Sequence, residues 1–218
     1  QFPRDEDLAQ EKMLRACARI DLADQAFYKF PRGKETVEGL SIVAACEIAQ
    51  IWGNLEYGLN ELRRDDVYGQ SELLAFAWDL ETNVRPTSLF IAPHIRDTKK
   101  GSYRVKDARD IYEVVTNAGN RRMRACILKI LPSWYVLQAE AALKQTLLNA
   151  VEGADKPIAQ QVEEAVSEFL QAYGITRSQL EHKAQAPIST WGPAGLVELR
   201  TLSQSLARGE STVEEAFP

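Results

Sequence analysis

The sequence is poor in the residue types that build metal and thiol sites. Its 218 residues include only three Cys (Cys17, Cys46 and Cys126) and two His (His94 and His182), and none of these lies near another. Because a zinc site needs clustered thiolates or imidazoles, the sequence predicts no bound metal. An odd number of scattered Cys is typical of a reducing compartment, so we expect a cytoplasmic protein whose thiols are buried apolar groups.

The signals of membrane attachment and secretion are also missing. No apolar run approaches the ~20 residues that a transmembrane helix requires. The first ten residues, QFPRDEDLAQ, have neither the basic start nor the apolar stretch of a signal peptide. The chain does not begin with Met, which predicts that further residues once preceded it.

No motif of a common enzyme class is present. The sequence contains no G-x-x-x-x-G-K-[ST], no G-x-G-x-x-G and no G-x-S-x-G. These absences argue against P-loop ATP binding, dinucleotide binding and a hydrolase nucleophile elbow. We therefore expect no cofactor and no enzymatic bond chemistry.

Positive charge is concentrated in one short stretch of an otherwise acidic chain. The net charge is −5, but residues 96–131 carry 10 Lys and Arg against 4 Asp and Glu, a net of +6. Residues 1–95 have a net charge of −6 and residues 132–218 a net charge of −5. A solvated helix face is one explanation, but such a concentration is more typical of a surface that contacts phosphates.

Hydrophobic periodicity predicts helices around a three-stranded antiparallel meander. Helical spacing predicts helices over residues 7–19 and 41–52, and period-two alternation then predicts three strands. The strands are expected at residues 55–61, before a turn at residues 65–69, and at residues 71–82 and 88–97, with Pro93 toward a sheet edge because it donates no ladder hydrogen bond. Trp52 and Trp78 fall on faces that we interpret as core.

The basic stretch follows the third strand. Residues 98–106 read as a basic loop or hairpin tip around Gly101, and Asp107 is the expected N-cap of a helix over residues 108–131. We expect this helix to break near residues 117–120, NAGN. Beyond the break, the cations lie opposite the apolar stripe at 100° per residue. They are Arg121, Arg122, Arg124 and Lys129, beside loop residues Lys99, Lys100, Arg104 and Lys106.

The remainder of the chain reads as helical. Residues 133–151 predict a helix, residues 153–157 a linker, and residues 158–173, 176–184 and 193–208 three further helices. The predicted fold class is α+β: a three-stranded antiparallel meander packed with helices, plus a small helical C-terminal subdomain. We divide the chain into an N-terminal helical segment (residues 1–35), an α+β core (36–152) and the C-terminal subdomain (153–218).

Two carboxylates have the spacing of a metal-binding exonuclease motif. Asp79 and Glu81, in WDLET, are spaced like the first Asp-x-Glu motif of DEDD-type exonucleases, where both side chains share a strand face and bind two metal ions. The later acidic residues do not supply the remaining motifs, and about 75 residues precede the pair. We interpret the match as chance and place both carboxylates on the polar face of an amphipathic strand.

Aromatic residues near the basic stretch are candidates for stacking on nucleic-acid bases. Single-strand binders combine cations for the phosphates with rings for the bases. Tyr103 is the best candidate because it lies inside the basic loop. We interpret Tyr112, Trp134 and Tyr135 as packing residues.

Element order and phrase-level likeness together resemble a known family. Residues 34–150 resemble phage single-strand annealing proteins of the RecT/Redβ/Sak superfamily. The stretches that carry the resemblance are EGLSIVAACEIAQIWGNLEYG, SELLAFAWDLETNVR, HIRDTKKGS and RDIYEVVTNAGNRRMRACILKILP. The resemblance implies a β-β-β-α core that forms rings or helical filaments, with single-stranded DNA in a basic groove between meander and helix. It implies that residues 158–217 dock a phage exonuclease or the host single-strand binding protein.

The resulting expectation is an ATP-independent protein of phage recombination, in the host bacterial cytoplasm, that binds single-stranded DNA and anneals complementary strands as an oligomer. The expected DNA-binding residues are Arg96, Lys99, Lys100, Tyr103, Arg104, Lys106, Arg121, Arg122, Arg124 and Lys129. Two alternatives stay open: a metal-dependent 3'-5' exonuclease, and a structural oligomer whose basic residues hold only its own subunits.

Overall fold

The structure, a computed structural model, describes residues 3–32, 35–98, 101–208 and 213–217. In chain order the helices are α1 (Glu6–Cys17), α2 (Ile20–Ala23), α3 (Ile42–Trp52), α4 (Ala108–Ile130), α5 (Ser133–Glu152), α6 (Ile158–Tyr173), α7 (Arg177–Ala184), α8 (Pro193–Ala207) and α9 (Val213–Ala216). The strands are β1 (Phe27–Arg32), β2 (Glu35–Leu40), β3 (Leu55–Asp65), β4 (Gln70–Asp79), β5 (Thr87–Pro93), β6 (Ile95–Thr98) and β7 (Gly101–Arg104). No helix in the described ranges is long and apolar enough to cross a membrane.

The fold is α+β, as predicted, and it consists of two units. Unit 1 comprises Gln1–Leu14 and Ile42–Ala139, and unit 2 comprises Arg15–Ser41 and Glu140–Pro218. This division differs from the predicted one, in which residues 153–218 stood alone. At the predicted linker the Gln161 side chain donates 2.9 Å hydrogen bonds to the carbonyls of Val151 and Lys156, which fastens α6 to the end of α5.

Unit 1 is built on the predicted antiparallel meander, with strand order β3-β4-β5. The register pairs Leu59 with Ala75 and Leu73 with Phe90. Two of the strands are shorter than predicted, since β4 ends at Asp79 and β5 ends at Pro93. Pro93 closes an edge strand, in agreement with the prediction from its missing donor.

The two faces of this sheet differ in burial. Helix α4 covers one face, where Leu73 and Ala92 of the sheet pack with Ile111 and Val115 of the helix. The opposite face carries alternate residues of β4 and β5 (Leu74, Phe76, Trp78, Leu89 and Ile91), with Leu89 61% and Ile91 58% exposed. Trp52 is buried as predicted, but Trp78 is only partly buried on the uncovered face.

Helix α4 is continuous, so the predicted break near residues 117–120 is wrong. Asp107 does cap the helix, and its carboxylate accepts hydrogen bonds from the N–H groups of Arg109 and Asp110. Gly119 is buried at the middle of α4, and a Cβ there would collide with the methyl groups of Leu59 on β3. The glycine therefore permits a close approach of helix to sheet and does not end the helix.

Unit 2 has its own apolar core. The hairpin of β1 and β2 pairs Phe27 with Leu40, and no strand was predicted there. The three predicted helices of the C-terminal region are present as α6, α7 and α8. Gly174 ends α6 in the left-handed conformation, and Thr176 with Gln179 forms a capping box at the start of α7. The core is formed by Val162, Phe169, Leu180, Ile188, Leu196, Leu199 and Leu202, among others.

Candidate nucleic-acid interface

The predicted basic loop forms a two-stranded hairpin before α4. Strands β6 and β7 pair antiparallel, with Arg96 opposite Tyr103 and Ile95 opposite Arg104. Tyr103 is 49% exposed, and Arg104 is also exposed. Lys99 and Lys100, which the sequence places at the tip, lie outside the described residues. The two strands of the hairpin thus carry three of the predicted site residues.

Arg96 is held by carboxylates of its own chain. Its Nη2 atom lies 3.3 Å from Asp110 Oδ1 and 3.2 Å from Glu113 Oε2, both on the first turns of α4. Glu113 also pairs with Arg109, whose Nε is 3.4 Å from Glu113 Oε1. Partial desolvation lowers the pKa of Arg96, but the charge of Asp110 and a hydrogen bond with Tyr103 outweigh it, and the net pKa is raised. We call these five residues the Arg96 cluster.

Arg104 fastens the hairpin to the turn between β3 and β4. Its guanidinium donates a short hydrogen bond to the carbonyl of Asp66. It lies directly over Gly69, where a Cβ would collide with it and where the backbone has a φ of +76°. The left-handed backbone conformation therefore favours glycine at residue 69, whereas the exposed end of the Arg104 side chain could move aside for a Cβ. Lys106, before the N-cap of α4, is exposed.

The outward face of α4 joins the Arg96 cluster to the predicted helix cations. Asp110, Glu113, Asn117, Arg121 and Arg124 follow at i, i+3, i+7, i+11 and i+14, which places all five on one stripe. All are exposed or half-buried. At a rise of 1.5 Å per residue, the two ends of this stripe, Asp110 and Arg124, are about 21 Å apart. Among the described residues Arg121 is exposed and forms no ion pair, so its guanidinium is open to a ligand.

Arg122 and Lys129 do not lie on this stripe. Arg122 is 100° further around α4, where its guanidinium stacks 4.3 Å from the ring centre of Phe90 on β5 and donates to the carbonyl of Ala118. The Arg122 side chain is half-buried, and it positions the helix against the edge strand as well as offering a cation. Lys129 is exposed in the last turn of α4, where a positive charge is favoured by the helix dipole.

The sequence missed the residues that modulate the predicted cations. Phe90 supplies a ring beneath Arg122, a contact between β5 and α4 that local periodicity does not show. Asp110 and Glu113 form ion pairs with Arg96, and a net charge summed over residues 96–131 does not show which cations are paired. Of the aromatic residues interpreted as packing, Tyr135 is fully buried, but Tyr112 is 69% exposed and that interpretation was wrong.

The two carboxylates with exonuclease spacing are neutralised by an arginine. Arg4 Nη2 lies 3.1 Å from Asp79 Oδ1, and Arg4 Nη1 lies 3.4 Å from Glu81 Oε2. Asp79 is buried on the covered face of β4, so the prediction that it lies on a polar face was wrong, and Glu81 follows the strand end. Burial raises the pKa of Asp79, but hydrogen bonds from Arg4, Glu81 and Thr82 lower it by more than burial raises it. The pKa of the carboxyl is therefore below its ordinary value. In the described part of the chain no three His, Cys, Asp or Glu are grouped to hold a metal.

His94 forms a buried polar pair with Ser71. Its Nε2 atom lies 2.8 Å from Ser71 Oγ, and both residues are at most 1% exposed. The backbone of His94 also bonds to Gly69 and Val105, at the point where β5 leads into the hairpin. Because no solvent or substrate reaches the pair, it has a structural role and is no nucleophile–base dyad.

Comparison with protein-family models, curated proteins and solved structures found no match to the chain. The function of the chain therefore has to be inferred from the geometry of unit 1.

Proposed function

We propose that the chain binds single-stranded DNA and anneals complementary strands without ATP, in phage recombination, as a ring or filament. The observation that carries the proposal is the basic half of the outward stripe of α4, Arg121 and Arg124, which lies beyond the acidic half that faces the hairpin of β6 and β7. The order of a three-stranded meander followed by one long helix is also the order that the resemblance to annealing proteins implies.

The stripe can contact the phosphates of an extended sugar–phosphate backbone. Arg121 and Arg124 lie one turn apart on the same face, and Arg122 flanks them, so successive phosphates can be bound by side chains from a single helix. Binding releases condensed counterions, and this gives sequence-independent affinity. The bases are left for pairing, which supplies the specificity. Tyr103 offers an exposed ring at the hairpin end of the path.

The test measures affinity for unrelated oligonucleotides over a range of salt concentrations. The variant with Arg121→Ala and Arg122→Ala should bind all sequences more weakly, because phosphate contacts carry no sequence information. The slope of log K against log salt should become shallower by about 0.7 for each phosphate that the variant no longer binds. Lys12→Ala, which removes one exposed cation on α1, is the matched control and should leave both quantities unchanged. Unaltered binding by the double variant would refute the assignment.

The structural-oligomer alternative makes a different prediction in the same samples. If the basic residues only bind neighbouring subunits, the mass of the assembly measured by light scattering is the same with and without an oligonucleotide. The annealing proposal requires a DNA-dependent change in mass and faster pairing of two complementary strands. Labelled single-stranded DNA incubated with Mg²⁺ tests the exonuclease alternative, which requires shortening of the strand.

A further inference from the structure

The Arg96 cluster places two carboxylates where phosphates would bind if the strand reached the hairpin. Asp110 and Glu113 both lie within 3.3 Å of the same guanidinium nitrogen. A phosphate oxygen that approaches Arg96 Nη2 must therefore displace at least one of them. The carboxylates stand on the same stripe of α4 as Arg121 and Arg124, so a strand that follows the stripe meets them next.

We propose that Asp110 and Glu113 are intramolecular competitors that hold Arg96 away from DNA phosphates and so limit affinity at the hairpin end of the site. This inference rests on the proposed function, and it names the regulation of that same site. The competition is reversible because all three side chains are between 35% and 46% exposed, and ion pairs at such exposure are weak.

The helix dipole is a second possible reason for acidic residues at the start of α4, and it must be distinguished from competition for Arg96. Acidic residues in the first turns of a helix are stabilised by its dipole, and this alone accounts for an Asp at residue 110. The dipole does not account for the convergence of both carboxylates on one nitrogen of Arg96, or for Glu113 also binding Arg109. A test must therefore detect the interaction with Arg96 itself.

The experiment is a double-mutant cycle on DNA affinity. Asp110→Asn with Glu113→Gln keeps the size and polarity of both side chains and removes their charge. We expect this variant to bind a mixed-sequence oligonucleotide about fivefold more tightly than the original protein, the gain expected from removing weak competing ion pairs. Arg96→Ala should have little effect in the original background and should abolish the gain in the double variant.

The control is Glu56→Gln, which removes an exposed carboxylate on the uncovered face of the sheet. An equal gain in that control would mean that only the total charge matters, and a gain that survives Arg96→Ala would mean that another cation, such as Arg109, is the one released; either result would overturn the inference. If the original protein binds the oligonucleotide and the double variant binds it no more tightly, the competition by Asp110 and Glu113 is refuted while the proposed function stands. If neither binds, both proposals fail. Thermal unfolding of each variant verifies that the affinities compare folded proteins.

Discussion

Arg4 and Asp79, 75 positions apart in the sequence, form a buried ion pair that closes one end of unit 1. Their side chains are only 7% and 5% exposed. The same guanidinium donates to the carbonyls of Trp52 and Gly53, at the end of α3, and lies 4.7 Å from the ring centre of Trp52. One side chain thus joins the N-terminal segment, the end of α3 and the end of β4.

Replacing Arg4 should destabilise unit 1 strongly. Arg4→Met keeps the length of the side chain but leaves Asp79 buried without its counter-ion and two carbonyls without a donor. Breaking one partner of such a pair costs roughly 3 kcal/mol. Urea unfolding followed by tryptophan fluorescence measures the loss, and Lys12→Ala on the exposed face of α1 is the control, expected within about 0.5 kcal/mol of the original protein.

The pH dependence separates the ion pair from simple loss of packing. Because the folded pKa of Asp79 lies below its ordinary value of 3.8, the carboxyl stabilises the fold above that pH, and this stability is lost as the pH falls through the folded pKa. Without Arg4, two of the influences that lower the pKa of Asp79 are gone and its folded pKa rises, so the variant should lose less stability than the original protein as the pH falls and its deficit should shrink. A deficit that is constant from pH 7 to pH 3 would contradict the role assigned to the pair.

His94 should make the fold sensitive to mild acid. Burial lowers the pKa of His94 below the usual 6.5, and the positive charges of Arg64 and Arg104 lower it further. The negative charges of Asp66 and Glu61 raise it, but by less, and the net pKa is lowered. The unfolded chain therefore binds a proton more readily than the folded one, so the free energy of unfolding decreases as the pH falls below about 6.5. His94→Gln keeps a polar partner for Ser71, and in this variant the free energy of unfolding should depend less on pH between pH 7 and pH 5.

The exposed His182 provides the matched control for that measurement. His182→Gln makes the same change on α7 in unit 2, and its free energy of unfolding should decrease at low pH as much as that of the original protein. Retention of the full pH dependence by His94→Gln would show that another group is responsible. Because the His94 pair joins β4 to the start of the hairpin, the protection of β6 and β7 against hydrogen exchange, relative to the intrinsic rate at each pH, should decrease as the pH falls over the same range.

The elements predictable from the sequence were those determined by local patterns. Alternation of apolar residues located β4, and the charge count located the cations of α4, because neither depends on distant residues. The partners of those cations were not predictable in the same way. Arg96 meets Asp110 and Glu113 only because the hairpin folds back onto α4, and the tertiary position of Arg4 decides the environment of Asp79.

The break predicted in α4 failed for a related physical reason. Residues Asn117 and Gly119 have low helix propensity, and propensity is a weak prior that packing overrides. The free energy gained by burying the underside of α4 against the sheet exceeds the local cost of one glycine. The missing side chain at Gly119 is what allows that burial, so the residue that suggested a break is one that the continuous helix needs.

A larger side chain at residue 119 tests the importance of the close helix–sheet approach. Gly119→Val should lower the free energy of unfolding by about 2 kcal/mol, because the Leu59 methyl groups occupy the space and overpacking outweighs the gain in helix propensity. Asn117→Val, two residues away on the exposed stripe, makes a matched β-branched change and should alter stability by under about 0.5 kcal/mol. The companion change Leu59→Ala should recover part of the Gly119→Val loss, since it returns the space. Equal effects of the two valine variants in urea unfolding would mean that α4 does not depend on a close approach at this residue.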